Sequence, residues 1–125
     1  MSKILSILIV EDDAMIALGL AFAVEDAGAI VVGPAASTAE ALKLLAEDSV
    51  DAAVLDVNLA DRDSTPVALA LLDRAVPFIV HTGSRLPAEL TTAHPGVSLL
   101  MKPAGPNEVV ARLLSQVPRG IEGVA

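Results

Sequence analysis

The 125-residue chain contains no cysteine, tryptophan or tyrosine, and only two phenylalanines. Without cysteine there can be neither a disulfide framework nor a thiolate metal site. A cysteine-free composition fits a reducing compartment, and a cytoplasmic protein is expected. Basic residues are also few. Eight Lys/Arg against sixteen Asp/Glu give a net charge of -8. The eight are scattered rather than gathered into a stripe, so the electrostatic footprint of nucleic-acid binding is missing. Long apolar runs are missing too, although 54% of the residues are hydrophobic. Ala14 to Val24 is the longest, at 11 residues including Gly19, whereas roughly 20 are needed to cross a bilayer. No membrane span is expected. Lys3 followed by Ile4 to Val10 superficially suggests a signal peptide. The acidic triplet Glu11-Asp12-Asp13 directly behind it, with no small-residue cleavage site, favours a strand instead.

What the chain does have is a regular alternation. Residues 4–10 form an apolar, β-branched run that reads as a strand. Residues 13–27 read as a helix, with Asp13 as its cap and Gly28 ending it. Ile30 to Val32 make a second strand stopping at Gly33-Pro34. Ser37-Thr38-Ala39-Glu40 fits a capping box for a helix to about Glu47. Residues 51–55 are a third strand. A polar loop leads to Thr65-Pro66, read as the cap and first turn of a helix to about Ala75. Pro77 to Val80 and residues 97–101 are the last two strands. Between them only Leu86 to Leu90 offers a helical turn before His94-Pro95-Gly96 breaks it, so a short or irregular fourth helix is expected. Gly105-Pro106 opens a final helix to about Val117.

Strands that read as continuous apolar runs belong to a parallel sheet covered on both faces. The expected fold is an α/β, doubly wound, five-stranded parallel sheet in flavodoxin-like order 2-1-3-4-5. It should be one domain over residues 1–125, with an ordered core at about 3–118 and a loose tail at 119–125. The functional crevice of such a sheet lies at the carboxyl ends of its strands.

Three apolar runs end in reactive groups: Ile7 to Val10 in Glu11-Asp12-Asp13, Ala52 to Leu55 in Asp56, and Leu99 to Met101 in Lys102. Glu11, Asp12 and Asp56 together make an oxygen-donor site suited to magnesium. A carboxylate poised beside that ion invites phosphoryl transfer and an aspartyl phosphate. The compact ammonium of Lys102 and the hydroxyl of Thr82 can meet phosphoryl oxygens. Several other residues have plainer readings. Asp61, Arg62 and Asp63 read as a solvated loop, His81 as a structural or surface side chain, and His94 as a loop residue. Met15, Leu18 and Phe22, at helical spacing, read as core. The first helix nevertheless has almost no polar face, so part of it is expected to meet another protein or a second copy of the chain.

Ile9-Val10-Glu11-Asp12-Asp13, Val54-Leu55-Asp56-Val57-Asn58-Leu59, Thr82 and Met101-Lys102-Pro103, in this order, resemble the receiver domain of bacterial response regulators over nearly the whole chain. Receivers are themselves an example of the 2-1-3-4-5 strand order, so the topology and the family are one inference. The resemblance implies that Asp56 accepts a phosphoryl group from a sensor histidine kinase or histidine phosphotransfer protein. It implies that Asp12 binds Mg²⁺ directly, that Glu11 assists, and that Asn58 supplies its backbone carbonyl. Thr82 and Lys102 would contact the phosphoryl group, and Lys102-Pro103 would be cis. With the last helix ending near the C-terminus, a stand-alone phosphorylation switch acting on a downstream protein, or a phosphate shuttle, is expected. It would not be an enzyme beyond its own phosphotransfer and autodephosphorylation.

The chain departs from the family pattern in three places. Receivers usually have Tyr or Phe where this chain has Leu99. The loop after Asp56 usually carries Pro and Gly, but here reads Leu59-Ala60-Asp61-Arg62-Asp63-Ser64. Pro77 to Ser84, with the curtailed fourth helix, is similar to receivers paired with HWE-type kinases. Asn58 and Ser84 flank the site and should influence the phosphoryl lifetime. Two other readings compete. A degenerate receiver would bind partners without phosphorylation, which the retained Glu11, Asp12, Asp56, Thr82 and Lys102 oppose. A haloacid-dehalogenase-like phosphohydrolase needs a second acid two residues after its nucleophile, where this chain has Asn58.

Overall fold

The computed structural model describes residues 4–83 and 85–118. The loose tail expected at 119–125 and the flanking residue Ser84 lie outside them. Five strands, β1 (Ser6–Val10), β2 (Ile30–Ala35), β3 (Ala52–Leu55), β4 (Phe78–Thr82) and β5 (Ser98–Met101), alternate with five helices. These are α1 (Ala14–Asp26), α2 (Thr38–Glu47), α3 (Thr65–Asp73), α4 (Ala88–Ala93) and α5 (Pro106–Leu114). All pairings are parallel and the order is β2-β1-β3-β4-β5, as expected. The fourth helix is short, at six residues.

Strand side chains alternate between two buried layers, as a period of two requires. Leu8, Val10, Ala53, Leu55, Phe78 and Val80 pack on one face with Ala41, Leu45, Val67, Leu71 and Leu90 of α2, α3 and α4. Ile7, Ile9, Ala52, Val54 and Ile79 pack on the other with Leu20, Val24, Val109 and Leu113 of α1 and α5. This double coverage is why the central strands read as unbroken apolar runs.

The helix ends follow local chemistry. The Asp13 carboxylate accepts from the amides of Met15 and Ile16 at 2.9 and 3.1 Å, and Gly28 at φ 82 turns the chain away beyond the other end. Ser37 Oγ accepts from Glu40 N at 3.1 Å, while Glu40 Oε1 reaches Ala36 N at 3.1 Å. The return arm of the expected box therefore lands one residue before the cap.

Three expectations need correction. β2 runs on to Ala35, beyond Gly33-Pro34, because the β1 register shifts between Leu8 and Val10 and Val10 then pairs with Ala35. The cap of α3 is Ser64 rather than Thr65, whose amide is already bound by Asp63 Oδ1 at 3.0 Å. Met15, Leu18 and Phe22 are not core. They are 77, 48 and 58% exposed, because α1 turns Ala17, Leu20, Ala23 and Val24 inward instead. The loop at Asp61, Arg62 and Asp63 is solvated as expected, with Asp61 and Arg62 exposed, and the Asp61 and Asp63 carboxylates are in addition anchored by backbone amides.

Candidate functional site

The carboxyl ends of β1, β3, β4 and β5 converge on one edge of the sheet. Glu11 follows β1, with its amide donating to Ala35 O at 2.9 Å. Asp56 follows β3, with its amide donating to Val10 O at 2.8 Å. Both acids are buried, at 3 and 6% exposure, whereas Asp12 is exposed. The Lys102 amide donates to Thr82 O at 2.9 Å, which seats the lysine at the end of β5. Its ammonium lies 3.1 Å from Glu11 Oε1 and 3.4 Å from Asp56 Oδ2. Thr82 is 1% exposed, on the neighbouring strand. The Lys102-Pro103 peptide is cis, as the resemblance implied.

Backbone amides hold the two buried acids in place. Glu11 Oε2 accepts from Asp13 N at 3.2 Å and Asp56 Oδ1 from Val57 N at 2.8 Å. Burial, and a hydrogen bond shared with Asp56, still push Glu11 up to about 7. Burial works against the Lys102 ammonium, but its hydrogen bond to Glu11 and the charges of Glu11 and Asp56 outweigh this and raise its pKa. Glu11, Asp12 and Asp56 can each offer an oxygen such that all three lie within 4.8 Å of one another. A set of three hard oxygen donors fits a hard divalent cation such as Mg²⁺.

The turn after Asp56 is built rather than free. Asn58 and Asp63 form an antiparallel bridge, and Ser64 N donates to Val57 O at 2.8 Å. The Asp61 carboxylate accepts from Thr38 N at 2.8 Å and Ala39 N at 3.1 Å, and Thr38 Oγ1 donates to Asp63 O at 3.0 Å. The turn therefore supplies the start of α2 with acceptors that its own cap does not. The amide of Thr38 and, more weakly, the neighbouring amides hold Asp61 below the usual carboxylate range, as Thr65 does for Asp63. Sequence reasoning missed this clamp, since no local spacing links Asp61 to an amide 23 residues away. His81, read from sequence as structural or surface, is 3% exposed.

A profile of the response regulator receiver domain matches residues 7–114. The chain belongs to the response regulator receiver domain family. Receivers are the phosphoacceptor modules of two-component systems. Similar solved structures include the solution structure of SdrG from Sphingomonas melonis Fr1, at 36% identity. That match covers 92% of this chain and 97% of the other, with a TM-score of 0.76. Two structures at 24% identity share the fold. One is a CheY-like receiver domain protein from Methanospirillum hungatei JF-1, covering 97% of this chain and 99% of that one at a TM-score of 0.80. The other is the PhyR receiver domain of Erythrobacter litoralis, covering 92 and 93% at a TM-score of 0.76. No curated protein matched the sequence. Among the described residues no helix is long and apolar enough to cross a membrane.

Proposed function

We propose that this receiver accepts a phosphoryl group on Asp56 from a sensor histidine kinase or histidine phosphotransfer protein. It then signals in the cytoplasm by contact with a downstream protein. The observation that carries this reading is the Lys102 ammonium held 3.1 Å from Glu11 and 3.4 Å from Asp56. A cation bridging the nucleophile to a neighbouring acid is what a reaction dependent on charge neutralisation requires.

In the transfer, an Asp56 oxygen forms a bond to phosphorus as the bond to the donor imidazole nitrogen breaks, and the imidazole keeps the electron pair. Asp56 is held for attack by the Val57 amide, which engages its other oxygen. Lys102 keeps the attacking oxygen oriented and then follows the charge onto the phosphoryl group. Thr82, adjacent to it in the sheet, offers its hydroxyl to a second phosphoryl oxygen. Glu11, Asp12 and Asp56, with the Asn58 carbonyl, would hold Mg²⁺. When bound, the ion supplies neutralisation of the carboxylate and phosphoryl charge. Modification leaves roughly -1.5 to -2 charges in place of one, so Lys102 exchanges part of its contact with Glu11 for the new group. That redistribution biases the adjacent loops. The apolar outer face of α1, with Met15, Leu18 and Phe22 exposed and with Met15 and Leu18 lining clefts shared with Lys102 and with Glu11 and Asp12, suits a docking protein that brings the phosphohistidine in.

Acetyl phosphate with Mg²⁺, followed by intact mass, tests the proposal. One phosphate should add to the wild type and none to Asp56→Ala, and chelation of Mg²⁺ should suppress the adduct. An unmodified wild type, or an adduct that persists in Asp56→Ala, would overturn it.

A further inference from the structure

His81 pairs with Leu100 in the sheet, but its imidazole has no part in the proposed phosphoacceptor chemistry. Strand alternation sends it to the α1 and α5 side of the sheet, behind Ile79 and opposite Thr82. It is 3% exposed, and neither ring nitrogen has a hydrogen-bond partner among the described residues. An imidazole buried without partners is costly, and such groups are uncommon enough to need a reason.

The ring lines a half-open cavity of about 320 Å³ between α1 and the turn that joins β5 to α5. Its other walls include Met15, Ile16, Gly19, Lys102 and Pro106. Gly19 lies where α1 and Pro106 come too close for an unstrained Cβ. A glycine within a helix is unfavourable relative to alanine. Here a Cβ would stand 3.2 Å from Pro106 Cγ, narrowing the cavity wall. A mostly apolar cavity of this size with one buried polar anchor has the anatomy of a small-molecule site.

We infer that the cavity is a binding site for a small, uncharged, ring-sized apolar molecule carrying one hydroxyl that pairs with His81. A charged occupant is disfavoured because the lining is mostly apolar and its one charge, the Lys102 ammonium, is already paired with Glu11 and Asp56, so a second charge would be desolvated without a counter-ion. Burial and the nearby ammonium, outweighing Asp56, lower the His81 pKa, so the ring is neutral and offers one donor and one acceptor. A hydroxyl matches both. The occupant would rest against Lys102 and so reach the phosphoacceptor's own cation, but the site does not depend on phosphorylation of Asp56.

The test uses the unmodified full chain and the probes p-cresol, toluene and p-toluate. The chain has two histidines, so His94→Gln identifies the His81 ring signals by NMR. We expect p-cresol to shift the His81 ring nitrogens saturably at millimolar concentration, and to bind roughly threefold to tenfold tighter than toluene, the range of one net hydrogen bond. His81→Phe should retain toluene binding and lose that preference. Gly19→Leu should fill the cavity and abolish both. The absence of a saturable His81 shift in the wild type would overturn the inference without reference to any variant. Equal affinity for p-cresol and toluene would overturn the role of His81, and p-toluate binding as tightly as p-cresol would overturn the uncharged class.

Discussion

Glu11 is where burial and charge pull hardest against each other. Its carboxyl is 2% exposed at the side chain and held up at about 7, above the 4.5 it would have when unfolded. The folded protein then binds more protons than the unfolded one between those values, so raising the pH through this window lowers stability. Each pH unit of displacement corresponds to about 1.4 kcal/mol. Solvent at the mouth of the crevice screens part of it, leaving a loss from this group of about 2 kcal/mol. His81 acts in the opposite sense, because its lowered pKa makes the folded state gain stability as the pH rises toward 6.5. The comparison must therefore be a difference. Thermal melts from pH 4.5 to 7.5 in chelator should show wild type losing stability relative to Glu11→Gln as pH rises. Millimolar Mg²⁺, which favours the ionised carboxylates, should erase the loss. A flat difference would mean that Glu11 ionises normally. The sequence made these acids legible because each ends an apolar run. Their unequal burial was not legible, since it depends on how β2 runs past Glu11.

At the scale of elements, the strands were legible because a sheet buried on both faces leaves contiguous apolar runs. Their ends were less so, and β2 shows why. Gly33-Pro34 looks like a stop, yet Gly33 lies inside the strand at φ 97, where a Cβ would meet Ala35 N at 2.8 Å and Ile9 O at 3.1 Å. Gly28 has a similar dihedral, φ 82, but open space around it. Gly28→Ala should cost about 1 kcal/mol from the dihedral alone. Gly33→Ala should cost a further 1–3 kcal/mol or so, because the obstructing atoms are backbone and cannot rotate aside. Urea denaturation of the two variants would check this, and equal losses would show that β2 shifts to make room. In α1 the difficulty was an excess of signal. Met15, Leu18 and Phe22 form one apolar stripe, and Ala17, Leu20, Ala23 and Val24 form another. Periodicity cannot choose between two apolar stripes; the packing of α5 and the sheet does.

For the molecule as a whole, the outward stripe leaves one apolar face next to the site on a chain of net charge -8. Exposed side chains contribute little to folding, so Phe22→Ser should change stability by no more than about 0.5 kcal/mol. Labelling by acetyl phosphate should be unaffected, while phosphotransfer from a cognate kinase should slow several-fold. A variant equally fast with both donors would remove α1 from the docking surface. Light scattering across a concentration series tests the alternative occupant, a second copy, which would appear as a rising mass that Phe22→Ser abolishes.

The Asp61 clamp ties distant parts of the chain into one mechanical part. The turn leaving Asp56 is bolted to the leading end of α2, a rod of ten residues. A shift of the Asp56 backbone would therefore be passed to that rod. If Asp56 is phosphorylated as proposed, the change would reach the flank opposite α1, where α2 packs, without the aromatic side chain that Leu99 replaces.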